Sequence, residues 1–438
     1  MLIGFKFGNF RSFKKIQEFS LIPGQVRTHN NHFIKINDKL NVLPFSCIYG
    51  PNASGKSTII LALDVVRGLL IHGGDSMVNN LYYRGDEEIK SSSYFEYELS
   101  INGKQYSYGF EFNFSSLSIE SEWLIDFTNK ERKIFERDVA NGNFICGLKD
   151  KNETNRLRLY LEDNSKNNKR LFLGTFIKNL SYANISSVIL EEMLSVYNEL
   201  IFNMIIIKPS IQQIWNIDFE KNKDKILYYL QKADINIKDI IYERTSIEYL
   251  KNILSISAYE EIMDQYRLVS TKYANTKLTI RYANEIAIID KDENGIYLKN
   301  LRFVHNNSNS TFGAYEESTG TLRILELLSI LLTNDKIYII DEFDTSLHPI
   351  LMKEIIEDFL NENMNNQLII TTHETILLDF ELLRRDEIWF TEKLDNGESK
   401  LYSLEEFKDI ARFDLKIEKG YLEGRFGAIP NGVFVNAT

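Results

Sequence analysis

Eight consecutive residues carry the plainest chemistry in this sequence. Gly50-Pro51-Asn52-Ala53-Ser54-Gly55-Lys56-Ser57 fits the pattern GxxxxGK[ST] at every fixed position. The apolar run 45–49 precedes it, and residues 58–70 that follow have the apolar density and length of a helix. A glycine-bearing loop between strand and helix turns backbone N–H groups inward at a helix N-terminus, where they bind phosphate oxygens. In that setting Lys56 reaches the β and γ phosphates of a nucleoside triphosphate, and the Ser57 hydroxyl takes one Mg²⁺ position. Asn52, Ser54, Gly55 and Thr58 complete the expected nucleotide-binding loop.

A second set of residues supplies the chemistry that such a loop requires. Lys336-Ile337-Tyr338-Ile339-Ile340-Asp341-Glu342 reads as an apolar strand ending in two carboxylates. Asp341 at the strand end is placed for the Mg²⁺ shell, and Glu342 beside it for polarising a water that attacks the γ phosphate. After one further helix and strand come Thr371-Thr372-His373, which would bring His373 to the γ phosphate. Upstream, Glu317-Ser318-Thr319-Gly320-Thr321-Leu322-Arg323 opens a helix, with Ser318 in the N-cap region and Gly320 permitting close backbone approach.

The elements needed to position these groups can be read along the chain. Residues 2–7 form a short strand, 9–13 a polar-aromatic turn and 45–49 a buried strand. Phe95, Tyr97 and Leu99 alternate with polar residues in a strand-like stretch, and Asn102-Gly103 marks a hairpin turn. Residues 187–207 and 223–230 have helical spacing, with Pro209 between them. The stretch 151–280 holds 18 Lys+Arg and 16 Asp+Glu, a net of +2 against −13 for the remainder. This contrast marks a mostly helical insertion between an N-terminal part (1–150) and a C-terminal part (281–438). Beyond it, 279–283, 286–290 and 295–301 read as a strand meander. A polar loop at Ser308-Asn309-Ser310 and a helix at 322–332 follow. The closing elements are a strand at 336–340, a helix at 350–361, and strands at 367–371 and 387–391. The fold class is α/β, a mixed sheet with flanking helices.

Composition narrows the classes. The chain has 438 residues, 44% hydrophobic and 26% charged, with a net charge of −11. This is an ordinary globular balance with few disorder-promoting residues, and the acidic excess argues against a DNA-coating protein. Two cysteines build no disulfide framework or zinc knuckle, and Cys47 in an apolar run reads as a core residue. The six histidines show no paired metal spacing. The start of the sequence lacks a signal-peptide pattern, and no apolar run approaches the ~18 residues of a membrane span. The expected location is the cytoplasm, in soluble form, with no membrane partner.

Together these motifs resemble the ABC-type ATPase head in its SMC, Rad50, RecF and OLD-like branch. The order is Walker A (50–57), signature (Ser318-Thr319-Gly320), Walker B (337–342), D-loop (344–347) and switch histidine (His373). Finer details are similar to the AAA15/AAA_21 group of bacterial ATPases, many of them in phage-defence operons. Those details are Asn9-Phe10-Arg11-Ser12-Phe13, Asp341-Glu342-Phe343-Asp344-Thr345-Ser346-Leu347-His348-Pro349, Thr371-Thr372-His373-Glu374, and Gly420-Tyr421-Leu422-Glu423-Gly424-Arg425-Phe426-Gly427-Ala428-Ile429-Pro430. The resemblance covers both flanks and leaves out the insertion.

This resemblance implies ATP and Mg²⁺ as cofactors and ATP hydrolysis as the reaction. Lys56, Glu342 and His373 would be catalytic, with Ser57 and Asp341 holding the metal. Two heads would sandwich ATP, so Ser318 and Gly320 would act on the nucleotide of the other subunit, and Arg11 would touch the nucleotide from the N-terminal region. The signature carries Thr319 and Thr321 where transporters have Gly-Gly-Gln, and no glutamine, Gln105 included, takes the Mg²⁺-sensing place. The implied role is a sensor or regulator of anti-phage defence (abortive infection). It would form a homodimer or higher homo-oligomer controlling a separately encoded effector such as a Toprim-type nuclease. The alternative is a RecF- or Rad50-like repair ATPase that binds DNA.

Overall fold

A computed structural model describes residues 1–26, 28–29, 31–78, 80–85, 92–147, 162–163, 165–180, 188–209, 213–215, 217–272, 277–282, 285–306, 308, 310–362, 365–407 and 417–429. Ser187, Ala283, Asn309 and Pro430, each part of an expected element or motif, lie outside the described residues. The chain forms two compact units. One comprises Met1–Ile206, Asp335–Phe343 and Asn365–Thr438, the other Ile207–Asn334 and Asp344–Met364. The expected segment 151–280 contributes to both.

The first unit contains a sheet whose strand order is Met204–Ile207, Ile337–Ile340, Gln367–Thr371, Phe45–Tyr49, Ile388–Lys393 and Ser399–Ser403. The four central strands run parallel, and the last is antiparallel to its neighbour. Every residue of Phe45–Tyr49, Ile337–Ile340 and Gln367–Thr371 is buried. That is why these segments read as mostly apolar runs with no polar alternation, Ser46, Gln367 and Thr371 being their only polar members. Helix Lys56–Ile71 follows the first of them.

A second, seven-stranded antiparallel sheet orders Asn143–Cys146, Arg132–Asp138, Ser118–Asp126, Lys104–Asn113, Ser93–Ile101, Leu2–Gly8 and Gln17–Ser20. Its hairpin at Asn102-Gly103 has positive φ at both residues (52° and 77°), as a two-residue turn matched to strand twist requires. Phe95, Tyr97 and Leu99 are fully buried, and the Tyr97 hydroxyl donates to the carbonyls of Ala62 and Leu63 at 3.1 Å. This sheet therefore packs on the helix that leaves the phosphate loop. Within it the fully buried cross-strand pair Glu122 and Arg137 is saturated with hydrogen bonds. Glu122 accepts Arg137 Nε at 2.9 Å, Tyr108 OH at 3.0 Å, and the first two N–H groups of helix Phe172–Leu180.

The second unit is built on an antiparallel sheet ordered Gln213–Trp215, Leu278–Tyr282, Glu285–Asp292, Gly295–His305 and Ile237–Ser246. Ile262, Met263 and Tyr266 of helix Ile256–Lys272 pack with Leu278, Ile280, Tyr282, Ile289 and Leu298 in one buried cluster. Lys299 joins Glu220 at 2.7 Å and Asp290 at 2.8 Å, and Lys277 also pairs with Glu220.

Three expectations change. The helix expected through residue 207 ends before it, because the β-branched run at Ile205–Ile207 belongs to strand Met204–Ile207 on the edge beside Ile337–Ile340. Within the stretch expected to be mostly helical, Ile237–Ser246 is a strand paired along its length with Gly295–His305, with Lys238, Glu243 and Arg244 exposed. The helix expected from residue 322 begins at Thr319, since Ser318 caps it directly.

Candidate functional site

The parallel strands of the first unit set the height of every candidate group. Ile340 is level with Ile370, Ile370 with Cys47, and Thr371 with Ile48. Asp341, the next residue, stands beside Thr371 and so near the level of Ile48, two residues before the loop begins at Gly50. One strand separates the acidic strand from the loop strand, a spacing of about 10 Å. Lys56, Ser57, Asp341, Glu342 and His373 thus emerge at the carboxyl ends of neighbouring parallel strands, where open α/β sheets bind ligands.

The loop is held by contacts that favour its glycines. Gly55, the N-cap of helix Lys56–Ile71, has φ 122°, and a Cβ there would meet the Phe13 ring at 2.8 Å. The Ser54 and Thr391 hydroxyls lie 2.6 Å apart, and Thr391 donates to the Tyr49 carbonyl at 3.3 Å, tying the loop to the next parallel strand. Lys56 is buried, its ammonium donating to the carbonyls of Gly50 at 2.7 Å and Pro51 at 3.2 Å. Ser57 and Asn52 are exposed, while Thr58 is buried.

Asp341 is buried, and its Oδ1 accepts the Thr371 hydroxyl at 2.6 Å. The same hydroxyl accepts the Glu342 N–H at 2.8 Å, and Phe343 N–H reaches the Thr371 carbonyl at 2.9 Å. Glu342 is exposed and sits at φ 49°, a left-handed conformation uncommon for a side-chain-bearing residue. His373, two residues beyond Thr371, is also exposed. Sequence reasoning overlooked three supporting groups: the Thr371 hydroxyl, the Ser54–Thr391 pair and the Phe13 ring. Thr371 and Phe13 signalled only as members of the Thr-Thr-His and Asn-Phe-Arg-Ser-Phe strings, while Ser54 stood in the expected loop and Thr391 at the end of an expected strand, with nothing to pair them.

Arg11 sits at φ 49° in the turn whose Phe13 meets Gly55, with its N–H on the Leu81 carbonyl at 2.7 Å. It lines a cavity of about 470 Å³ with Ser12, Tyr82, Arg84 and Lys393.

Ser318 and Gly320 belong to the second unit. The Ser318 hydroxyl accepts the Thr321 N–H at 3.0 Å, as an N-cap does. A Cβ on Gly320 would stand 3.2 Å from the Ser346 carbonyl, so the glycine lets the helix start approach the D-loop. The exposed His348 caps helix Pro349–Asn361 through Nδ1, which accepts the Ile350 N–H at 3.3 Å.

The residues present fit a magnesium nucleotide. The loop glycine at a helix start makes room for phosphate, Lys56 supplies a buried cation, and Asp341 offers a carboxylate already oriented by Thr371. Among the described residues no cluster of three or more His, Cys, Asp or Glu could enclose a metal. Cys47, directly beneath in the loop strand, is fully buried, and burial pushes its thiol well above the ordinary value, so it acts as core.

Fold and site define a P-loop nucleotide-binding domain of the α/β class. The family model described as "AAA domain, putative AbiEii toxin, Type IV TA system" matches residues 45–172 and 217–379, and the chain belongs to that family. Among solved structures, the chain is similar to an SMC head bound to the C-winged helix domain of ScpA, with 12% identity and TM-score 0.41, covering 92% of this chain and 97% of that one. It is also similar to the SMC head domain from Thermotoga maritima (15% identity, TM-score 0.35, coverage 92% and 98%). A third is the Smc head with an extended coiled coil, bound to the C-terminal domain of ScpA, from Pyrococcus furiosus (12%, 0.37, 92% and 96%). No curated protein matches the sequence. Among the described residues, no helix is long and apolar enough to cross a membrane.

Proposed function

We propose that this protein is an Mg²⁺-dependent ATPase whose hydrolysis cycle switches a partner in a bacterial defence system. The observation that carries the reading is the convergence of Lys56, Asp341, Glu342 and His373 at one end of adjacent parallel strands, with Thr371 fixing both acidic positions. Lys56 exchanges its loop carbonyls for the β and γ phosphates. Ser57 and Asp341 would hold Mg²⁺, which when bound would supply charge neutralisation at the phosphate oxygens. Glu342, carried outward by its left-handed backbone, takes a proton from the attacking water, and His373 donates to the γ phosphate. Arg11 contacts the bound nucleotide from its cavity.

Ser318 and Gly320 act in trans on the nucleotide of a second copy, so ATP closes a homodimer and hydrolysis opens it. The stretch 151–280 is the recognition element for partner or trigger. The family's description names a toxin–antitoxin system, which supports a defence role, and the effector in this proposal is a separately encoded nuclease. A repair role would require extensive phosphate contacts, and a net charge of −11 gives it no support.

The test is ATP turnover with Mg²⁺ by wild type, Lys56→Ala, Asp341→Asn and Glu342→Gln. Each substitution should lower turnover by about 10²–10⁴-fold, with Glu342→Gln still binding ATP. Wild-type turnover no greater than that of Lys56→Ala would refute the reading. Purifying Glu342→Gln from its host would then show whether a protein effector or DNA accompanies it in stoichiometric amount.

A further inference from the structure

The Gly-Tyr-Leu-Glu-Gly-Arg-Phe-Gly-Ala motif near residue 420 has no part in the chemistry above, yet it docks against the backs of two loops that do. Strand Ile388–Lys393 explains the first contact through its two-residue alternation. Thr391 faces the phosphate loop, bonded to Ser54 and to the Tyr49 carbonyl. Its neighbours Phe390 and Glu392 engage segment 417–429. Tyr421 stacks on Phe390 at 5.6 Å and 15°, and lies 6.0 Å from the ring of Tyr49, the residue before the loop. Phe426 stacks on Phe390 at 6.0 Å and 19°.

The segment itself is fixed. The Tyr402 hydroxyl donates to the Phe426 carbonyl at 2.7 Å, and the Tyr421 hydroxyl to the Ala428 carbonyl at 2.9 Å. Gly427 has φ 67°, and a Cβ there would meet the Tyr402 hydroxyl at 2.7 Å, so the glycine is required both by backbone and by space.

The second contact reaches the histidine loop. The Thr375 hydroxyl, two residues beyond His373, donates to Glu418 Oε1 at 2.6 Å, a short charge-assisted bond. One segment therefore backs the strand that ties down the phosphate loop and also tethers the loop that carries His373.

We infer that segment 417–429 is a positioning element of the nucleotide site, with Glu418 setting the placement of His373 through Thr375. This rests on the proposed ATPase reading. Because Thr375 and Glu418 are exposed partners, replacing them tests position without emptying the core.

The experiment measures steady-state ATP hydrolysis by the full chain as wild type, Lys56→Ala, Thr375→Val, Glu418→Ala, Glu418→Gln and the Thr375→Val/Glu418→Ala double variant. Thr375→Val and Glu418→Ala should each lower kcat about tenfold with KM for ATP little changed, as misplacement of a group near the chemistry does. Glu418→Gln keeps an acceptor oxygen and should restore most of kcat. The double variant should fall no further than either single one, because the two residues act as a pair. Wild-type kcat in both single variants, or Glu418→Gln as impaired as Glu418→Ala, would overturn the inference while leaving the ATPase reading intact. Wild-type turnover no greater than that of Lys56→Ala would overturn both.

Discussion

The Thr371 hydroxyl donates to Asp341 Oδ1 over 2.6 Å, joining the ends of two neighbouring parallel strands at the level of Ile48, two residues before the phosphate loop. Because the same oxygen accepts the Glu342 N–H at 2.8 Å, one threonine orients the expected metal ligand and holds the expected base in its left-handed turn. A residue held in that conformation costs about 1–3 kcal/mol and persists only where its surroundings enforce it.

Thr371→Val removes both bonds and keeps the shape. We expect ATP turnover to fall by about 10–100-fold, on the scale of a misplaced catalytic group, with a smaller loss of ATP affinity. Thr371→Ser should stay near wild type. Turnover in the valine variant equal to wild type would show that the bridge does not position the acids.

Gly55→Ala puts a methyl group at φ 122° against the Phe13 ring. The loop must then shift away from the turn at residues 9–13, and nucleotide affinity should drop by about tenfold or more while the fold survives, since a strained glycine site typically costs about 1–3 kcal/mol. Titration with a fluorescent ATP analogue reads this directly. Combining it with Phe13→Leu should recover part of the affinity.

Arg137→Met leaves the Glu122 carboxylate buried without its cation. Breaking one side of such a pair costs about 3–5 kcal/mol, so urea unfolding should shift by that amount. Part of the loss should return in Glu122→Gln/Arg137→Met, because the unpaired charge is then gone. Equal stability of single and double variants would contradict the ion-pair account.

The second unit should carry an acid-sensitive contribution centred on Lys299. Burial by itself raises the Glu220 and Asp290 carboxyls, but the Lys277 and Lys299 ammonium groups overcome it and hold both below the usual carboxylate range. Carboxyls depressed in the folded state stabilise it fully above their unfolded pKa of about 4, and that stabilisation is lost as pH falls through the folded values. Lys299→Met should therefore lower the melting temperature at pH 7 and narrow the difference between pH 7 and pH 3. An undiminished difference would place the acid sensitivity elsewhere.

Much of the candidate site's framework was legible because its parts are local. Strand, loop and helix of the phosphate site are contiguous, so Phe45–Tyr49 and Lys56–Ile71 appear where the sequence places them. The strand ending before Asp341 is a continuous apolar run, and the one ending at Thr371 has an apolar centre between Gln367 and Thr371, with little else for either to be. The supporting contacts were not legible, because they join residues distant in sequence: Phe13 beneath Gly55, Thr391 on Ser54, and Thr371 on Asp341. Ile237–Ser246 escaped because exposed residues fall on both its faces, leaving no clean alternation, and only its pairing with Gly295–His305 makes it a strand. Ile205–Ile207 was ambiguous for a simpler reason: a short apolar run fits helix or strand until an open sheet edge decides.

Turnover by mixed variants tests the shared-site ATPase most directly. Lys56→Ala and Ser318→Arg should each be inactive alone. In an equal mixture half of the dimers pair one of each, and one of the two sites in such a dimer is intact, so about a quarter of wild-type turnover should return. A mixture no more active than its components, beside an active wild type, would contradict a nucleotide site completed by Ser318 of a second copy.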